Sequence, residues 1–357
     1  MDPLMNHKPT RMWPFALLFL IFLPLNLPAE ESADSRAEHR WQMEELLESG
    51  SYPFAIGHRG YGENNGSDPD RPLENTLEAV ERAFEEGAQV VEVDVVMTAD
   101  NRLVALHNDF LDDLTCVNQL SYRQLREQLP SASKLRKILR KARHFSKKRR
   151  SERPSGLLII EIKTPSPLCD ADDSTQLTLA DAVASMVQLT RMSRQVLIES
   201  FSPEILDRVA LTAPDLPRML AISAFQLLTP EQIEALTGLP VSLLDKPSPY
   251  GLQWVEAGAL FRTPLYGSAG DYLFTLAASG TRAAAIDKAV VQLLESQAPG
   301  SAALLFDQLH QIAQRVTVYT VNDEAEWLLL ATLGADGIFT DDIPMGLSLE
   351  GIGSAAP

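Results

Sequence analysis

The sequence predicts an α/β fold, a (β/α)8 TIM-type barrel with a β-hairpin excursion after the second strand and loop insertions. Three observations predict it. Apolar strand-like runs alternate with amphipathic helical runs along most of the 357 residues. The runs 54–58, 91–95, 102–107, 157–162, 196–200, 217–222, 282–286, 316–321 and 337–340 make nine candidate strands. Only Val96-Met97-Thr98-Ala99-Asp100-Asn101 separates the second from the third, too few residues for a parallel crossover, so 102–107 returns as a hairpin arm and eight parallel strands remain.

Each helix between the strands has a local reason. Asn75 is placed to cap a helix whose Glu78 completes a capping box, with Leu77, Val80 and Phe84 on one face and Gly87 as the stop. The run 133–150 sets Leu135, Ile138, Leu139 and Ala142 on an apolar side under a dense cationic one. A helix follows at 176–192, and Ser202-Pro203 opens the next, with Ile205, Leu206 and Val209 on one side. The stretch 239–280 interrupts this rhythm with Tyr250, Trp254, Phe261, Tyr266 and Tyr272 among Gly and Pro, which suits a folded loop over one barrel face. Helices at 288–296, 303–314 and 323–333 complete the alternation.

Hydrophobic residues at 45% and charged residues at 22% supply a core and exclude wholesale disorder. A net charge of −17 excludes nucleic acid as the main partner, because it would repel a polyanion. One segment runs against that charge: residues 134–153 hold eleven Lys and Arg against the single Glu152. It reads as a solvated barrel helix with a charged tail from Lys147 to Arg153, as a contact for an anionic membrane surface, or as a guide for phosphates toward Lys163.

Residues 1–29 read as a signal peptide, since His7, Lys8 and Arg11 precede the apolar run Phe15–Leu25. Pro14, Pro24 and Pro28 leave too short a clean run to span a bilayer comfortably. The chain is therefore expected to be exported, to the periplasm or outside the cell, with an uncleaved N-terminal membrane anchor as the alternative. A polar segment 30–50, a barrel domain 51–347 with insertions near 61–71, 141–155 and 239–280, and a tail 348–357 follow. Cys116 and Cys169 either pair in that compartment or stand as two unrelated thiols.

In a barrel of this type the chemistry sits at the C-terminal ends of the strands, so polar residues there are the informative ones. The first strand ends in His58-Arg59-Gly60. The second carries Glu92 and Asp94, two residues apart and so on one face. The hairpin arm ends at His107, and the next strand at Glu161-Ile162-Lys163. Taken singly, a strand histidine is more often a satisfied core group, and an alternating carboxylate pair more often a solvated face. At consecutive strand ends they make a constellation. Three converging buried carboxylates need a cation, and a hard divalent ion with oxygen ligands, Ca²⁺ or Mg²⁺, meets that need. Zinc does not, because no histidine-rich or cysteine-rich spacing is present. His58 and His107 can move protons near neutral pH, and Arg59 and Lys163 supply fixed charge for a phosphate. Together these groups describe phosphodiester cleavage.

The same residues resemble the glycerophosphodiester phosphodiesterase family from about Phe54 to Pro344. The resemblance rests on an ordered series: His58-Arg59-Gly60, Leu73-Glu74-Asn75-Thr76, Glu92-Val93-Asp94 with Thr98-Ala99-Asp100, His107, Glu161-Ile162-Lys163, Ser200-Phe201, Tyr319-Thr320-Val321-Asn322, and Asp336-Gly337-Ile338 with Thr340-Asp341. It implies a metal-dependent barrel hydrolase that cleaves small glycerophosphodiesters to glycerol 3-phosphate and an alcohol. It further implies Glu92, Asp94 and Glu161 as metal ligands, and His58 and His107 as general acid and base. Arg59 and Lys163 would hold the phosphate, Glu74 would assist metal or glycerol, and Tyr319 would wall the glycerol side. The family's chemistry has a glycerol hydroxyl attack phosphorus, giving a cyclic phosphate that water opens.

This chain departs from the family pattern at Asn108, where Asp is usual, and at Asp113-Leu114-Thr115, where Arg-Thr-Thr is common. Leu73 replaces a usual Pro, and Tyr319 a usual Trp, while Tyr61–Arg71 is an insertion. None of these removes an expected ligand or proton carrier. Two other readings stand beside the hydrolase: a lysophospholipid-cleaving phosphodiesterase at a membrane surface, and a non-catalytic barrel that binds phosphodiesters. The alcohol, the choice between the two ions, the oligomeric state and the role of 239–280 are left open by the sequence.

Overall fold

The computed structural model describes residues 40–49, 52–148, 152–312 and 314–352. The strands, in chain order, are β1 (Phe54–Gly57), β2 (Val90–Met97), β3 (Leu103–Ala105), β4 (Ser133–Lys134), β5 (Leu157–Ile162), β6 (Val196–Ser200), β7 (Arg218–Ile222), β8 (Val241–Leu244), β9 (Gln253–Ala257), β10 (Phe261–Leu265), β11 (Ala283–Asp287), β12 (Arg315–Tyr319) and β13 (Gly337–Thr340). Eight are parallel neighbours in the order β1-β13-β12-β11-β7-β6-β5-β2, and β1 pairs with β2 to close the barrel. β3 pairs antiparallel to β2 through Val95↔Ala105 and Val96↔Val104, and β4 adds to β3. The short connection after β2 thus makes the expected hairpin.

Alternation along the strands decides which side chains enter the barrel. On β2, Val91, Val93 and Val95 face outward into the layer beneath the helices, where Val80, Ala83, Phe84, Leu135 and Ile138 meet them. Val90 faces inward with Phe54, Ile56, Leu157, Ile159, Leu197, Met219 and Phe339. Burying both faces explains why these strands read as nearly continuous apolar runs. Helix Met43–Ser49 adds Met43, Leu46 and Leu47 to the inner cluster. Met43 N–H donates to Arg194 O just before β6, which places this helix under the N-terminal end of the barrel. Part of the segment expected to be merely polar therefore plugs the barrel floor.

Helix Leu77–Glu86 is capped by Thr76, not by Asn75, and the expected box with Glu78 is replaced by a bond from Ala79 N–H to Thr76 Oγ1 at 3.1 Å. Gly87 ends it in the left-handed region (φ 109°), as the stop signal predicts. Ser202 caps helix Pro203–Thr212 by accepting from Ile205 N–H. The basic helix is shorter than expected, Leu135–Phe145, with Leu135, Ile138, Leu139 and Ala142 buried. Lys148 is no flexible tail residue: it pairs with Glu45 at 2.8 Å and lies over the Trp41 ring.

The 239–280 stretch is more ordered than a loop. β8, β9 and β10 form an antiparallel sheet, and helix Ala269–Ser279 packs on the barrel through buried Tyr272, whose hydroxyl donates to Leu220 O. Trp254 and Tyr266 are buried, so these aromatics are core rather than an exposed wall. Cys116 and Cys169 form a disulfide. Among the described residues, no helix is long and apolar enough to cross a membrane. The segment 1–29 read as a signal peptide lies outside the described residues.

Candidate active site

Strand register brings the carboxylates together. Glu92 and Asp94 continue the inward set begun by Val90, and Glu161 continues that of Leu157 and Ile159. Asp94 is the register partner of Glu161, so the two sit side by side across β2 and β5. One ligand atom from each of Glu92, Asp94 and Glu161 lies within 4.8 Å of the others. All three are buried, and Glu92 Oε1 has no hydrogen-bond partner.

Charge compensation is uneven. Burial, then repulsion from Asp94, Glu161 and Glu199, pushes the Glu92 carboxyl well above the usual carboxylate range. Burial would also raise Asp94, but Lys163, His107 and Arg59, with a hydrogen bond from Asn75, hold it well below that range. Burial lifts Glu161 to about 7 despite the opposing pull of Lys163. Lys163 Nζ lies 2.7 Å from Glu161 and 3.0 Å from Asp94, and these anions outweigh burial and raise its ammonium above the ordinary lysine value.

Arg59 leaves β1 in the left-handed region (φ 50°) and Gly60 follows at φ 100°. The sharp turn lets Arg59 N–H donate to Glu92 Oε2 at 2.8 Å and Gly60 N–H to Glu92 O at 2.9 Å. A Cβ on Gly60 would lie 2.6 Å from that of Ala79, which is why glycine stands there. The guanidinium donates to Glu74 Oε1 at 3.0 Å and sits 3.8 Å from Asp94. Glu74 is spent on Arg59 and on Asn64 N–H, so it braces the arginine from outside the carboxylate cluster.

Both histidines reach the same mouth. His58 Nδ1 lies 2.8 Å from Asp341 Oδ1, at the end of the neighbouring β13. Asp341 also accepts from Glu63 N–H and from Asn322 Nδ2. Burial would raise its carboxyl, but the bond with His58 and these other donors keep it well below the usual range. An ionised Asp341 fixes the hydrogen of His58 on Nδ1 and leaves Nε2 as the exchanging nitrogen. His107 Nδ1 contacts Asn108 Oδ1 at 2.9 Å. Burial, then Lys163, pushes His107 down to about 3, partly offset by Asp94, so its ring is neutral at neutral pH.

Tyr319 stands at the end of β12, its hydroxyl donating to Ile222 O and its ring edge-on to Phe201 and Phe339. Three further residues join the site without having been singled out as candidates. Asp341 orients His58. Asn75 donates to Asp94 Oδ2 at 2.8 Å and accepts Asp94 N–H at 3.0 Å, from a left-handed backbone (φ 54°). Glu199, the register partner of Glu161 on β6, is a fourth buried carboxylate whose Oε2 has no hydrogen-bond partner. Burial, then Glu161, raises it well above the ordinary range. Glu199 is also a polar residue at a strand end, the same signal that marks Glu161. Asn75 and Asp341 lie in loops, where no strand pattern marks them.

Comparison with known proteins identifies the family. The glycerophosphoryl diester phosphodiesterase family model matches residues 58–242 and 261–345. A glycerophosphodiester phosphodiesterase 1 of Mycobacterium tuberculosis is 39% identical over 80 residues, 21% of this chain and 27% of that protein, so the matched stretch spans about a quarter of the curated relative. A glycerophosphodiester phosphodiesterase structure from Parabacteroides distasonis superposes with a TM-score of 0.56 at 18% identity, covering 83% of this chain and 96% of its own. An Oleispira antarctica phosphodiesterase, solved with sn-glycerol-3-phosphate, gives 0.54 at 18% identity, covering 83% and 97%. At such identities the structures share the fold. With its ordered motifs and most of its length matched, the chain belongs to the glycerophosphoryl diester phosphodiesterase family.

Proposed function

We propose that the protein is a metal-dependent phosphodiesterase that hydrolyses glycerophosphodiesters to glycerol 3-phosphate and an alcohol. Water is consumed, the P–O bond to the alcohol breaks, and the alcohol leaves with a proton. The convergence of Glu92, Asp94 and Glu161 within 4.8 Å, flanked by His58 and His107, carries this reading. A non-catalytic binding barrel has no use for two proton carriers beside three buried carboxylates.

The donor set fits a hard divalent cation, Ca²⁺ or Mg²⁺. Its three groups offer oxygen only, and Glu92 Oε1 is buried without a partner. When bound, such an ion neutralises charge on the phosphoryl oxygens. Arg59 and Lys163 add fixed positive charge on the phosphate. His107, and His58 with its ring fixed by Asp341, are the pair suited to take the proton of the attacking hydroxyl and deliver one to the leaving oxygen.

The disulfide supports an exported location, because such bonds persist in oxidising compartments. A membrane contact is supported by Arg136, Lys137 and Arg140, which are exposed and have no acidic partner among the described residues. Replacing all three with Gln should then weaken binding to anionic vesicles. Equal binding by both proteins removes that contact.

The deciding experiment measures glycerol 3-phosphate released from glycerophosphocholine with Ca²⁺, with Mg²⁺ and with chelator, beside His58→Ala. Metal-dependent release that falls about 10²-fold or more in the variant supports the reading. A folded sample that binds the ester without cleaving it overturns the reading in favour of the binding barrel.

A further inference from the structure

Two crevices flank His107, and they differ in chemistry. One, of about 580 Å³, runs past Arg59, Asn64 and Glu74. The other, of about 440 Å³, shares His107 and Lys163 with the site and then passes Met97, Phe110, Leu179, Leu260 and Phe261. Its polar lining is mostly spoken for: Thr98 bonds to Asp100, Asn118 to Cys169 O, Ser166 to Asp109, and Thr175 to Asp170. Beside Asn101, Asn108 and the unpartnered Thr164 hydroxyl, most of what remains toward a ligand is apolar surface.

This second crevice is built from three distant parts of the chain. The turn between β9 and β10 docks on the loop after Lys163, with Leu168 N–H donating to Ala259 O at 2.8 Å. Behind it the buried Arg262 side chain donates to Glu256, to Asp173 and to Asp170 O. The same loop is tied to the one carrying His107 by the Cys116–Cys169 disulfide and by Ser166 on Asp109. Leu260 is held over the opening while 45% exposed.

Resting on the phosphodiesterase reading, we infer that this crevice is the subsite for the leaving alcohol and selects one with a neutral, apolar body. A glycerophosphodiester has two unlike halves. The glycerol half carries hydroxyls that lose energy if buried without partners, so a largely apolar crevice suits it poorly. The apolar crevice offers few partners, and His107 and Lys163, the groups proposed to act on and hold the phosphate, stand in its lining. An alkyl alcohol gains there by leaving water, whereas a cationic head group loses hydration and meets in Asp109 only a carboxylate already bonded to Ser166.

The test compares three esters on the full enzyme: the hexyl ester of glycerol 3-phosphate, glycerophosphoethanolamine, and lysophosphatidylethanolamine, whose chain is on the glycerol. The hexyl ester should show a KM at least about tenfold below that of glycerophosphoethanolamine, equivalent to about 1.4 kcal/mol. In Leu260→Asp the ratio of their kcat/KM values should fall by about tenfold. Leu243→Asp, on exposed β8 outside the crevice, controls for a charge added to the same sheet and should leave the ratio as it was. Equal KM for the two small esters, or a ratio that Leu260→Asp leaves unchanged, overturns the apolar subsite. A KM gain confined to the lysophospholipid overturns its assignment to the alcohol half. Hydrolysis of none of the three overturns instead the phosphodiesterase reading beneath it.

Discussion

Asp341 Oδ1 lies 2.8 Å from His58 Nδ1, so the last barrel strand orients the imidazole that the first one presents. The two residues follow the neighbouring register pair Gly57↔Thr340, which fixes their spacing through backbone bonds rather than through a loop. Asp341→Asn keeps the shape but can donate where it should accept, and favours the wrong tautomer of His58. Its kcat should fall about 10²-fold with KM changed little, and adding His58→Ala should cost far less than the product of the single effects. Full additivity in that cycle would separate Asp341 from the proposed role of His58.

Asn75, expected as a cap, instead braces Asp94, a proposed ion ligand. Its side chain holds both the carboxylate and the N–H of Asp94, and its positive φ is a conformation Asn tolerates better than most residues. Asn75→Ala should weaken divalent-ion affinity by about 10- to 100-fold, as loss of a partner behind a ligand commonly does. Calorimetric titration reads this directly. Unchanged affinity would show that Asp94 needs no help to stay in place.

Why the sequence marked Asp94 and misread Asn75 is a matter of range. Strand alternation is local, so Glu92, Asp94 and Glu161 could be assigned a face from their own neighbours, and the six residues 96–101 between the expected second and third strands were enough to subtract one strand from nine. A cap is also local, but Asn75 and Thr76 are both good caps in adjacent positions, and only the distant Asp94 decides between them. The floor helix depends likewise on Arg194 and Gln195, far along the chain. Asp341 was visible in its motif, yet its role waits on closure of β13 against β1. The insertion's three-stranded sheet was hidden because its short strands carry Gly and Pro between aromatics that turn out to be core.

The ion site should be linked to protons. In protein stripped of divalent ions by chelator, Glu161 titrates near 7 and Glu92 lies well above the usual range, both chiefly through burial. An ion needs these carboxylates ionised, so binding should release protons, and affinity should fall as pH drops below about 7. Titration in buffers of different ionisation enthalpy counts the released protons. The stability of the stripped protein has the matching sign: a raised carboxyl pKa stabilises the fold while protonated and loses that contribution as pH rises through 7. Denaturation midpoints should therefore drop between about pH 4.5 and 7 without ion and recover when Ca²⁺ or Mg²⁺ is added. A midpoint that is flat over this window with chelator present would contradict the burial of Glu161.

The disulfide ties the loop of His107 to the loop of Lys163, but it is not the only tie. Asp109 Oδ2 accepts from Ser166 N–H at 2.8 Å and Ser166 Oγ at 3.0 Å, Val117 N–H donates to Asp109 O, and Asn118 donates to Cys169 O at 2.7 Å. Stability and positioning should therefore separate. Cys116→Ser with Cys169→Ser releases a loop closed across 53 residues and should lower unfolding free energy by about 2–4 kcal/mol, read by denaturant titration. Turnover should fall less than about tenfold, because Asp109 still anchors the chain two residues beyond His107. Asp109→Ala with the disulfide intact should show the reverse balance, a modest stability loss of about 1–3 kcal/mol and a larger fall in kcat, since a partly buried bond pair two residues from His107 is lost. If the cysteine pair instead costs more turnover than Asp109, the covalent bond rather than the carboxylate sets the histidine's position.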